Sequence, residues 1–194
     1  MTQVTHVYDD ASTAREVVSA LEDAGFSASE ISIVTQKADG ITSTTADGVS
    51  DGAATGATIG LVAGTGAGLL ASLGMIAIPG IGPLVAAGVL ATTLATAAAG
   101  TVTGGLLGAL VDYGVSPDHA EIYAENVRRG GTLVSVKADG ERLAEAEGIM
   151  QEYDPVDIGA RGENYRSEGW TKYDPDAPGY SETEVRSERD RYRA

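Results

Sequence analysis

The sequence predicts an α+β fold, a ferredoxin-like split β-α-β sandwich with a long Gly/Ala-rich α-helical hairpin inserted between strands two and three. Three observations carry that expectation. Two β-α-β patterns stand apart in the chain, in residues 1–35 and 112–158. Between them lies an uncharged block of 59 residues, Ala53 to Val111. Inside the block, glycines recur four apart on both sides of a Pro-Gly reversal.

The elements follow in order. Residues 2–8 show partial alternation and read as a strand. Asp9 to Ser12 supplies N-cap chemistry, because these side chains accept from the open N–H groups of a first helical turn. Val17, Val18, Leu21 and Ala24 recur at helical spacing, and Gly25 ends the helix. Ile31 to Val34 is the second strand. The same grammar returns later: Thr132 to Val136 as a strand, Ala138-Asp139-Gly140 as a turn, and Glu141 to Tyr153 as a helix. Leu143, Ala146, Ile149 and Met150 share one face of that helix. Asp154-Pro155 breaks it, and Val156 to Ile158 reads as a short last strand. Before the second unit, Ser116-Pro117-Asp118 opens a helix that closes at Arg128-Arg129-Gly130.

Residues 36–52 form a polar Thr/Asp/Gly stretch without apolar period, expected to be a flexible linker. Residues 159–194 carry both charges and the aromatics Tyr165, Trp170, Tyr173, Tyr180 and Tyr192, with Glu182 to Arg193 as a short charged helix. Two expectations stand for this tail, a solvated extension or a strap whose aromatics dock on the body.

Composition narrows the function. Hydrophobic residues make up 43% of the 194, yet aromatics only 5%, and there are 26 glycines, so packing relies on small side chains and close backbones. The absence of cysteine excludes disulfides and thiolate metal sites. Net charge is −15, of which residues 1–158 hold −14 (6 basic, 20 acidic) and residues 159–194 hold −1 (7 basic, 8 acidic). A field of that sign repels phosphate, which argues against nucleic acid as a partner and leaves only hydrophobic contact with anionic lipid. The first residues lack a basic stretch followed by an apolar one, so no cleaved leader is expected and the chain starts in the cytoplasm.

The candidate functional residues lie in the uncharged block. Gly56, Gly60, Gly64 and Gly68, then Gly100, Gly104 and Gly108, would each line one helix face as a groove that admits another helix closely. Pro79, Gly80, Gly82 and Pro83 cannot continue a helix and reverse the chain. As helices, residues 53–78 and 84–111 would each span about 39–42 Å, longer than the roughly 30 Å of bilayer hydrocarbon. A lipid bilayer and self-association are therefore the expected partners, on the cytoplasmic face of the cell membrane with both termini cytoplasmic. The alternatives are a cytoplasmic oligomer that buries the hairpin between subunits, and a disordered or amyloid-like tract. The near absence of an aromatic belt, with Tyr113 alone near an end, weighs against deep insertion.

No catalytic, cofactor or metal constellation is expected. Gly64-Thr65-Gly66-Ala67-Gly68 lacks the spacing of a dinucleotide loop, and no Walker lysine motif or GxSxG occurs. His6 and His119 have no metal-ligand partner in the sequence, and Asp9, Asp10 and Asp139 read as helix caps in matching turns. The chemistry of any small-molecule ligand is not legible.

Several segments resemble one family. Val7-Tyr8-Asp9-Asp10 before an Ala/Val/Leu helix ending in Ala24-Gly25-Phe26, and Glu30 to Val34, look like the start of bacterial general stress, or low-temperature-induced, proteins. Ile76 to Pro83 (IAIPGIGP), Gly104 to Gly108, Gly114 to Pro117 leading to Tyr123, and Gly130 to Val134 are similar to the same family. The resemblance covers about residues 1–160. It implies a stress-induced protein without established enzymatic activity, and it supplies no catalytic residue.

Overall fold

The computed structural model describes residues 2–36, 74–78, 82–96 and 105–192. The chain runs β1 (Thr2–Tyr8), α1 (Ala11–Asp23), β2 (Ile31–Gln36), β3 (Gly74–Ile78), β4 (Gly82–Ala87), α2 (Val89–Thr96) and α3 (Gly105–Tyr113). It continues through α4 (Pro117–Arg128), β5 (Thr132–Ala138), α5 (Glu141–Gln151), α6 (Ile158–Ser167) and α7 (Glu182–Tyr192). The fold is mixed α and β. Among the described residues, five strands form one antiparallel sheet in the order β1-β5-β2-β4-β3.

Alternation along the strands assigns a core to each face of the sheet. Val134 and Val136 of β5, with Ile31 and Ile33 of β2, join Val17, Val18 and Leu21 of α1 and Ala146 and Met150 of α5. Leu133, Val34, Leu84 and Ala86 point the other way, onto Leu90 and Leu94 of α2, Leu106 and Leu110 of α3, and Ala124 and Val127 of α4. Every residue of β2 is buried, as expected of a strand covered on both sides. The arrangement is three layers, helix on sheet on helix.

The expected helical hairpin is corrected here. Residues 74–78 and 82–87 are not helical arms but two antiparallel strands, with Ile78 opposite Gly82 and Gly74 opposite Ala86. β3 and β4 run antiparallel, so the chain changes direction between Ile78 and Gly82; Pro79 and Gly80 themselves lie outside the described residues. Two physical reasons favour strand. The antiparallel edge of β2 is available from Ile33 to Gln36, and β4 takes it from Ala87 to Leu84. Pro83, which lacks an N–H, falls just beyond that last pair, near the start of its strand, where a missing donor is tolerated. Further along the supposed second arm, the described residues form α2 and α3, packed on this chain's own sheet. Among the described residues, no helix is long and apolar enough to cross a membrane.

The short last strand is corrected too. Val156 N–H donates to the Val7 carbonyl at 2.9 Å, one bond beside β1, and then the chain turns helical. Asp157 is the cause, because its Oδ1 accepts from Ala160 N at 3.0 Å and caps α6.

Gly88 links β4 to α2 at φ +84, and a Cβ there would collide with the Ile31 carbonyl oxygen and the Ser32 backbone. Gly148, in the interior of α5, has nothing within 4 Å of a Cβ. Gly88→Ala is therefore expected to destabilise by at least about 2 kcal/mol, through left-handed strain and overpacking. Gly148→Ala is expected to stabilise by roughly 0.5–1 kcal/mol through helix propensity. Urea titration should move the two midpoints in opposite directions with unchanged slope.

Candidate functional site: a charged latch at the end of the fourth helix

Most expected site residues lie outside the described residues: Gly56, Gly60, Gly64, Gly68, Gly100, Gly104, Pro79 and Gly80. So does the expected linker beyond Gln36. Gly108 is half-buried on α3, two residues from the core side chain Leu106. Gly82 and Pro83 belong to β4.

What the structure brings together is the tail. The strap describes it, and the solvated extension does not. Tyr165 is fully buried and Tyr173 nearly so. Arg129, at the end of α4, stacks on the Tyr165 ring with its guanidinium carbon 3.9 Å from the centroid. Its Nε donates to Glu125 Oε1 at 2.7 Å, and its Nη1 to Glu188 Oε1 at 3.0 Å and Glu168 Oε2 at 3.1 Å. Arg128 pairs with the same Glu125 and donates to the Pro178 carbonyl at 2.9 Å. Glu125, 1% exposed, thus receives two guanidinium groups. Burial alone would lower the Arg129 pKa, but Glu125 and Glu188 more than offset it and hold the pKa raised. Burial pushes the Tyr165 phenol up, although Arg161 and Arg129 oppose the shift.

A second anchor joins the tail to the first turn of the chain. Arg161 binds Asp9 in parallel, Nη1 to Oδ1 at 2.8 Å and Nη2 to Oδ2 at 2.9 Å. Arg189 approaches Asp10 at 3.3 Å. This corrects the reading of Asp9 and Asp10 as caps: Asp10 sits at the N-cap of α1 without a side-chain cap bond. At the matching turn the N-cap of α5 is Gly140, not Asp139. The carboxylates are drawn to the arginines because a bidentate guanidinium pair is stronger than a neutral N–H donor.

The backbone leaves room for the latch. Gly130, at φ +97, lies against Val185 of α7 so closely that a Cβ would overlap the valine methyl groups. Tyr180 N–H donates to the Arg128 carbonyl at 2.9 Å. Ser181 and Glu184 form a capping box at the start of α7, with Ser181 N–H to Glu184 Oε2 at 2.8 Å.

Reactive chemistry does not assemble among the described residues. Thr5, Ser135 and Ser32 line up across three strands, with Thr5 Oγ1 and Ser135 Oγ 2.7 Å apart. Their other bonds run to backbone, from Ser135 Oγ to the Val4 carbonyl at 3.0 Å and from Leu90 N–H to Ser32 Oγ at 3.2 Å. His6 points to the opposite face, where its Nε2 lies 3.1 Å from Glu147 on α5, so it cannot serve as their base. His119 is exposed, edge-on to Tyr123. No group of three His, Asp or Glu that could hold a metal ion occurs among the described residues.

Comparison with known proteins finds no matching family model, no matching curated protein and no matching solved structure.

The sequence did hold a signal for the latch. Seven of the 13 basic residues fall in a tail of 36, facing a body of −14, and five aromatics are spaced through it. Complementary charge with aromatic anchors favours docking over solvation.

Arg129→Met is expected to destabilise by about 3–5 kcal/mol, because Glu125 and Glu188 would stay buried without their shared cation. Adding Glu188→Gln should recover part of the loss, since it removes one of the stranded charges. Thermal unfolding of the two variants checks both statements.

Proposed function

We propose that this chain is a non-enzymatic, stress-associated assembly module that self-associates through its glycine-spaced segment. The association with stress rests on the resemblance in residues 1–160. The body is read as a split sandwich of ferredoxin-like type. Its halves are β1-α1-β2 and β5-α5, its fourth strand is reduced to the Val156–Val7 bond, and β3-β4 extends the sheet on the far side of β2.

One observation supports assembly over a membrane span: the chain before the polar stretch and the chain after the remaining uncharged segment join the same sheet. With residues 84–94 committed to the core, 21 uncharged residues are left before Gly74, from Ala53 to Leu73. One helical pass of that length covers about 31 Å and would leave its ends on opposite faces of a bilayer. Yet Gln36 and Ile76 both pair with Leu84, which sets them two strand spacings apart, about 10 Å. Two shorter arms would each reach about 15 Å, half the hydrocarbon. The groove of Gly56, Gly60, Gly64 and Gly68 serves close packing between copies on this reading.

Gly60→Leu with Gly64→Leu is expected to lower the oligomer mass measured by light scattering behind size exclusion, while helix and strand content stay unchanged. In an alkaline carbonate wash the unaltered protein is expected in the supernatant. An unchanged mass in the variant overturns the role of the glycines. Retention of the unaltered protein in the pellet overturns assembly in favour of insertion.

A further inference from the structure

Among the described helices, α7 is held on the body with little apolar contact, Val185 being its one buried apolar residue. Only Val185 and Glu188 of its 11 residues are buried. Val185 seats on Gly130, and the other attachments are polar or ionic. Glu188 meets Arg129 at 3.0 Å, Arg189 meets Asp10 at 3.3 Å and donates to the Gly130 carbonyl at 3.3 Å, and Arg191 meets Glu168. Tyr192 lies under the Arg161 guanidinium, 3.7 Å from ring centroid to carbon. The outer pairs, Arg189 with Asp10 and Arg191 with Glu168, weaken as salt screens them, whereas the buried Arg129–Glu188 pair and Tyr165 of α6 are screened far less.

The connection to α6 adds a tether. Tyr173 is buried and fixes the first half, leaving residues 174–181 before α7 begins; Pro178 and Tyr180 among them are held on Arg128 by one hydrogen bond each, and release of α7 breaks these two bonds as well. Eight residues reach about 26 Å when extended. A helix on such a tether can leave its seat without disturbing the sheet.

We propose that α7 is an exchangeable latch, and that the α7 of a second copy occupies the socket of Asp10, Arg129, Gly130 and Glu168, reciprocally in a dimer. Charge complementarity names the occupant. The socket presents Asp10 to Arg189, Arg129 to Glu188 and Glu168 to Arg191, and a glycine where Val185 must fit. That order of charges is α7's own, so an identical chain matches it in every position. A tether of this length holds α7 near its own socket at an effective concentration on the order of millimolar. Exchange is therefore favoured by high protein concentration and by a passage through high salt. It needs nothing from the glycine-spaced segment, so it stands or fails separately from the proposed assembly through those glycines.

The chain has no cysteine, which makes a thiol test clean. Asp10 and Arg189 are each less than one third exposed and face one another across the length of an arginine side chain, so Asp10→Cys and Arg189→Cys in separate chains are joined efficiently by a short bis-maleimide when α7 crosses between copies. The two full-length variants, one carrying a size tag, are mixed at high concentration in high salt, returned to low salt and treated with the bis-maleimide. The expected product on a denaturing gel is the mixed heterodimer, at least tenfold above a control in which the Arg189→Cys chain also carries Val185→Asp. A mixture that stays monomeric overturns the exchange, with Asp10→Cys and Arg189→Cys in one chain, which the same reagent closes into an internal bridge, as the control. A heterodimer equally abundant with Val185→Asp also overturns it, since bonding would then come from collision and not from a seated α7.

Discussion

Burial of the sheet on both faces is the constraint on which the rest depends. β2 and β5 carry apolar side chains in both directions, Ile33 and Val134 to one side, Val34 and Leu133 to the other. Such strands cannot leave a face in water without exposing a row of Val, Leu and Ile, each worth roughly 1.5–3 kcal/mol on burial. One layer comes from α1 and α5, the helices of the two β-α-β units. The other has to come from somewhere, and the chain between β2 and β5 supplies it as α2, α3 and α4. The uncharged stretch is thereby explained in part without a membrane: from Leu84 to Leu94, and again from Leu106 to Leu110, it serves a core that lies under the sheet.

The same constraint fixes where the tail goes. With both faces covered, the docking surface left to α6 and α7 is the C-terminal end of α4 and the β1–α1 turn, and both are charged. Tyr165 is buried there against Trp170 and the Arg129 guanidinium, and the polar groups around it must then be satisfied. Glu125, Arg129 and Glu188 do this as a chain of opposite charges, each with a partner within 3.0 Å. Replacing such a network with apolar side chains is often neutral for stability, so its consequence lies in geometry: it admits one register of α7 on the body.

Legibility followed the range of the interactions. β1, α1, β2, α4, β5 and α5 were readable because their signals are local: period, a Ser-Pro-Asp start, a glycine stop. The β3-β4 hairpin was not, because Gly74 to Ala87 is apolar throughout and has no period to separate strand from helix. Its strand character is decided by the edge of β2, some fifty residues away in sequence. Glycines four apart favour a helix groove only where a helix exists, and the spacing says nothing of that. The tail was half-legible. Its helix at Glu182 and its turns at Pro175 and Pro178 are local features. The anchor to Asp9, made by a residue 152 positions later, is a long-range pair that no local pattern encodes. Asp9 and Asp10 illustrate the general difficulty, since the residue types that cap helices are also those that bind arginine.

Charge placement then limits how copies of this protein can meet. The basic residues Arg128, Arg129, Arg161, Arg189 and Arg191 are spent inward on Asp9, Asp10, Glu125, Glu168 and Glu188. Glu16, Asp23, Glu141, Glu145 and Glu152 stay exposed on α1 and α5 and just beyond. Two bodies of this kind repel at contact distance, and at physiological salt the repulsion decays over about 8 Å. Association must therefore use either a surface without charge or an element that brings its counter-charges with it. The segment Ala53 to Leu73 carries no charge, and α7 carries both signs in the order its socket requires. For a chain at −15 these are two ways in which self-contact escapes the repulsion of the body, which is why the proposed assembly and the proposed exchange draw on them.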